Sequence, residues 1–132
     1  MPESFNATLR TTFAQSLIDS LGANFKSKFY NGVKPASVAT ALSGNTLLAT
    51  TSADATPSIS VTAGVLTFDT ANFTQTNSGH VNGTPTWVSF QTSADLRVWE
   101  VDVGAGGMTF TGTIQANVDI ARGAWTWTAP GA

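Results

Sequence analysis

The chain has no cysteine, a single histidine (His80), and only 11% charged residues. Each shortage excludes something. Without cysteine there is no disulfide framework and no thiolate metal site. Six Lys and Arg stand against eight Asp and Glu, a net charge of −2, which gives no basis for wrapping a nucleic-acid backbone. No stretch approaches the ~18 apolar residues of a membrane span. The opening Met1-Pro2-Glu3-Ser4 has no basic stretch leading into an apolar run, so no secretory signal is expected there. A free-standing soluble domain carries about 25% charged residues. Here Thr, Ser, Ala, Gly and Asn fill that place. A charge-poor surface suits a protein packed against neighbours, because interface cores are depleted in charge.

The length of 132 residues fits one domain, 1–132. A chain of this size buries roughly two thirds of its surface, enough for a core without staples. One helix is expected at about residues 4–21. Phe5, Leu9, Phe13, Leu17 and Leu21 recur every four residues with Ile18 beside them. Ser4 or Asn6 can cap its start, and Gly22 can end it in the left-handed region. The stripe needs a surface to cover, its own sheet or a partner, and Phe13 at its middle is the candidate contact.

From Phe25 the period changes to two. Phe25, Ser27 and Phe29 face one way, and Lys26, Lys28 and Tyr30 the other, before Asn31-Gly32 turns the chain. Further strands are expected at 46–51, 58–62, 65–69, 86–91, 96–103, 108–114 and 124–128. Thr, Val, Phe and Trp enrich them, and Gly, Asn, Pro and Asp punctuate them. Short strands so spaced predict an antiparallel β-sandwich over about 25–129, of jelly-roll or immunoglobulin-like type.

Little in the chain carries reactive chemistry. His80 lies in the loop-like run Asn77-Ser78-Gly79-His80-Val81-Asn82-Gly83, with no Gly-x-Ser-x-Gly elbow anywhere. It reads as a loop histidine making ordinary hydrogen bonds. Glu100 and Asp102 lie two apart on one strand and so share a face, with Arg97, Trp99, Val101 and Val103 expected on the other. No calcium-loop pattern supports a metal there, so they read as a face turning polar. Gly104-Ala105-Gly106-Gly107 lacks the Lys-Ser/Thr of a phosphate loop and reads as a hairpin connection. No cofactor is implied, and the chain reads as a non-enzyme.

Two groups remain as candidate contacts. Of the four tryptophans, Trp125 and Trp127 share a strand face. They suit core or interface packing, and if exposed they could stack on sugar rings. All three lysines, Lys26, Lys28 and Lys34, fall in one short stretch. They either guard an exposed strand edge or form a patch that docks an acidic neighbour.

The segment Phe29-Tyr30-Asn31-Gly32-Val33-Lys34-Pro35, followed by Gly44-Asn45-Thr46-Leu47-Leu48-Ala49-Thr50, resembles small structural proteins of tailed bacteriophages. Those often read aromatic-Tyr-Asp/Asn-Gly-x-x-Pro, a short spacer, then a Leu-Leu-Ala strand. Ala63-Gly64-Val65-Leu66-Thr67-Phe68, Gly83-Thr84-Pro85-Thr86-Trp87-Val88 and Trp127-Thr128-Ala129-Pro130 are similar too. This chain departs in having Asn31 where Asp is common and in its heavier tryptophan content. The resemblance implies a virion component made in the host cytoplasm, a head decoration (cement) protein on the major capsid protein, as a homo-dimer or homo-trimer. It brings no catalytic, metal or cofactor residues. A neck or tail component and a carbohydrate-binding β-sandwich module are the alternatives.

Overall fold

The computed structural model describes residues 4–53, 59–68, 73–104, 107–110, 112–120 and 125–129. Among these residues one α-helix, α1 (Ala7–Leu21), precedes eight strands: β1 (Lys26–Tyr30), β2 (Leu47–Ala53), β3 (Ile59–Thr62), β4 (Val65–Phe68), β5 (Phe73–Gln75), β6 (Trp87–Gln91), β7 (Arg97–Asp102) and β8 (Trp125–Thr128). The strands form two antiparallel sheets, five-stranded in the order β5-β2-β1-β6-β7 and three-stranded in the order β3-β4-β8. The fold is a β-sandwich with one N-terminal helix.

Alternation along the strands builds the core. Phe25, Ser27 and Phe29 point inward from β1 and its approach, and Val88 and Phe90 belong to the same core. Leu66, Phe68, Trp125 and Trp127 face them from the smaller sheet. The packing is largely aromatic. Phe68 stacks on Phe90 at 5.3 Å, Phe29 meets Trp125 edge-on at 5.2 Å, and Trp99 meets Trp127 edge-on at 4.7 Å.

Asn6, not Ser4, starts the helix: its side chain accepts a 2.8 Å bond from the Leu9 N–H. Gly22 ends it at φ 74°. Thr12, Ser16 and Ser20 donate to carbonyls one turn back at 2.8–3.0 Å, which satisfies the hydroxyls of the outer face, where Asp19 is the exposed charge. The helix packs on β7, the edge of the larger sheet, and on the β3–β4 hairpin. The hairpin turn seats it. Ala63 and Gly64 both have positive φ, Gly64 N–H donates to Thr11 Oγ1 at 3.0 Å, and a Cβ on Gly64 would meet Arg10 Cβ at 2.7 Å.

The expected apolar stripe divides. Ala14 and Leu21 are buried and Leu17 and Ile18 pack on the core, whereas Phe5, Leu9 and Phe13 remain 40%, 52% and 47% exposed. Helix geometry gives the reason. At about 100° per residue, a strict four-residue spacing drifts about 40° around the axis at each step. Leu21 and Leu9 therefore cannot share one face, and Phe5 lies ahead of the N-cap, outside the helix.

Two further differences concern strands. β5 was not expected, because three residues show too little alternation to mark it. The expected strand at 108–114 is absent among the described residues there. Among the described residues that segment makes isolated bridges, Val103 to Met108 (parallel) and Gly83 to Ile114, and Thr109 N–H donates to Thr126 O of β8 at 2.9 Å. Gly112 at φ 105° breaks its extension. Of the expected hairpin connection 104–107, Ala105 and Gly106 lie outside the described residues; Gly104 N–H donates to Met108 O at 2.9 Å, but the Val103–Met108 bridge is parallel and no hairpin ladder follows. The expected strand ends Ser58, Asp69 and Ala124 lie outside the described residues.

Candidate interaction site

The lysines come first, because the sheet order decides between their two readings. β1 is the central strand of the larger sheet, so Lys26 and Lys28 guard no edge. They lie on the sheet's outer face and share one carboxylate, Asp95, at 2.8 and 3.1 Å. Asp95 sits at φ 66° in the turn between β6 and β7, where Thr92 N–H donates to Leu96 O at 2.9 Å. Hydrogen bonds from Lys26 and then Lys28 hold its carboxyl below the usual carboxylate range.

Beside them the same face carries a second charged pair. Arg97 holds Glu100 in a fork at 2.6 and 2.9 Å, and the Glu100 side chain is only 3% exposed. Ser89 Oγ donates to Glu100 at 3.3 Å, and Gln91 Nε2 donates to Ser89 Oγ at 3.0 Å. Arg97 also donates to Thr40 O at 2.5 Å and to Ser37 O at 3.5 Å, fastening the 31–46 loop to the sheet. Asn31 closes the base of that loop, accepting from Thr46 N–H at 2.7 Å through its side chain and from Asn45 Nδ2 and Trp87 Nε1 through its carbonyl. Tyr30 stacks on Trp87 at 4.5 Å, and burial foremost raises its hydroxyl pKa.

Arg97 thus shares the face of Glu100, contrary to strict alternation. The cause is a register shift: Phe90 pairs Trp99 while Gln91 pairs Arg97. Glu100 is committed to Arg97, and Asp102 is exposed. Among the described residues no three of His, Cys, Asp and Glu cluster as a metal would need.

The remaining candidates lie apart. Lys34 is on the loop after β1, next to the highly exposed Val33, and has no ion pair among the described residues. Trp125 and Trp127 are 4% and 8% exposed, turned into the core by the smaller sheet, so neither presents a ring to a sugar or a partner. Phe13 is half-exposed on the helix, its ring 6.2 Å from Trp127. With Phe5 and Leu9 it forms an uncharged apolar row, flanked by Asn6, Thr12 and Ser16. The six candidate residues are therefore not one site. Asp95, Arg97 and the buried His80 were not among them. The Arg97-x-x-Glu100 spacing was a visible signal for one of these.

No family model matches the chain, and neither the curated proteins nor the solved structures contain a match to it.

Proposed function

We propose that the protein is a structural component of a tailed-phage virion, a decoration protein that binds the major capsid protein lattice and bridges its subunits. The observation that carries this reading is the exposed row Phe5, Leu9 and Phe13. Leu9 and Phe13 stand on a helix seated against both sheets, with Phe5 just ahead of its N-cap, in a chain with only 11% charged residues. A rigid apolar row with neutral flanks is suited to permanent contact with another protein surface. The sequence resemblance to phage structural proteins supplies the setting. The mechanism is mechanical: a protein that binds one state of a shell stabilises that state by mass action, and contacts repeated over the lattice multiply the effect.

The test is the location and copy number of the protein in intact particles. A copy number set by the capsid lattice is expected. A single ring at one vertex would assign it to the neck or tail instead, and absence from purified particles would overturn the reading.

A further inference from the structure

The 31–46 loop joins β1 to β2, and none of its apolar side chains joins the core. It is nonetheless firmly held. At its base Asn31 N–H donates to Thr46 O at 3.2 Å, and Asn45 Nδ2 donates to Val33 O at 3.0 Å. Gly32, at φ 79°, leaves room for that amide, which a Cβ would meet at 2.9 Å. Thr86 Oγ1 donates to Gly32 O at 2.6 Å. At the far end Thr40 N–H donates to Ser37 O at 3.1 Å, and Arg97 donates to the carbonyls of both residues. None of these ties uses an apolar side chain.

The side chains that the loop turns to water are not those of an ordinary turn. All nine residues from 36 to 44 are exposed, and five of them are Ala36, Val38, Ala39, Ala41 and Leu42. Exposed connections are built chiefly from Gly, Pro, Asn, Asp and Ser. Val38 and Leu42 are each 39% exposed, and Val33 and Leu47 at the two ends are 86% and 40% exposed. No charge falls between Pro35 and Leu47; Lys34, the loop's one charge, stands ahead of this run. Long connections without secondary structure are commonly binding elements, and a backbone fixed in advance lowers the cost of binding.

We propose that this loop is a self-association surface, on which the 36–44 run packs against the same run of a second copy of this chain across a two-fold axis. The absence of charge selects this occupant. A two-fold contact is isologous, so a patch meets its own kind, and a patch with surplus charge repels itself. The Lys26–Lys28 face has one exposed carboxylate for two ammoniums and would meet its own surplus. The 36–44 run carries nothing to repel, and a partner chosen by charge would find nothing on it to recognise. A standard interface takes about 800 Å² and roughly 20–30 residues a side. Nine residues with Val33 and Leu47 beside them fall short of that, so the dimer is weak and reversible. The loop and the helix row are different elements, and the inference does not depend on a virion role.

Sedimentation equilibrium of the purified full-length protein tests this from about 10 µM to about 1 mM, the range of a weak contact. The mass should rise with concentration toward twice the 13.7 kDa of one chain and no further. Val38→Asp and Leu42→Asp should each weaken association about tenfold or more, because each puts two like charges into the contact, with unchanged thermal unfolding. Leu9→Asp should associate as the unaltered protein does. Amide NMR shifts that depend on protein concentration should fall within residues 33–47. That map uses the unaltered chain, so it decides the matter even where a variant fails to fold: shifts confined to other residues overturn the proposal. A mass that stays at one chain throughout overturns it, as does growth beyond two copies. It is equally overturned if both loop variants associate undiminished, or if Leu9→Asp alone abolishes association, which would assign the contact to the helix.

Discussion

Asp95 serves two lysines at once, and this sets the sign of its pH dependence. Its folded-state pKa lies below the ordinary carboxylate value, chiefly through the hydrogen bond from Lys26. The stability it contributes is therefore present above the ordinary value of about 4 and is lost as pH falls through the lowered one. Asp95→Asn should flatten the fall of thermal stability below about pH 4; an acid limb identical to wild type would remove Asp95 from the account. Because the carboxylate is exposed, the effect should be small and shrink with salt. Glu100 is the opposite case, its side chain 3% exposed in the Arg97 fork. Glu100→Ala leaves Arg97 without its counter-charge and should cost about 3 kcal/mol in chemical denaturation. It should also raise protease cutting in the 37–40 stretch that Arg97 fastens. Loss of stability without new cleavage would mean that the loop is held by other contacts. The lysine cluster was legible from sequence, but its partner was not. Asp95 lies sixty-nine positions from Lys26, and only the sheet order brings them together.

The helix was legible in its type, cap and end, and misread in its face. Spacing four apart gives a convincing row on paper, yet the row winds about the axis, so its C-terminal half meets the core and its N-terminal half does not. The strands with clear alternation, such as β1 and β8, were legible for the opposite reason: a period of two does not drift. The 108–114 segment carries the right residues for a strand but, among its described residues, forms isolated bridges and a bond from Thr109 to Thr126 in place of a ladder, which no local pattern reports. Substitutions on the two halves of the helix should separate folding from docking. Ala14→Asp puts a charge at a fully buried position and should cost several kcal/mol or prevent folding. Leu9→Asp should leave thermal unfolding within a few tenths of a kcal/mol of wild type, as surface changes usually do, while abolishing particle occupancy. Equal damage to folding by both variants would mean that the Phe5–Phe13 row is covered within the protein itself.

At the scale of the whole molecule, two surfaces compete as the means of attachment, and their physics differ. The Lys26–Lys28 face is charged but already shares Asp95. The helix row is apolar, with neutral Asn6, Thr12 and Ser16 beside it. Association through charge weakens as the Debye length falls from about 10 Å at 0.1 M salt to about 3 Å at 1 M. Association through apolar burial, worth about 25 cal/mol per Å² removed from water, is left nearly intact over that range. Rebinding of purified protein to particles stripped of it should therefore keep its affinity to within about twofold across those salts. A tenfold or greater loss would move the contact to the lysine face, where Lys26→Met with Lys28→Met should then abolish binding. Under the helix-row reading the same double change only frees Asp95 from its partners, which leaves attachment and the reinforcement of the shell as they were.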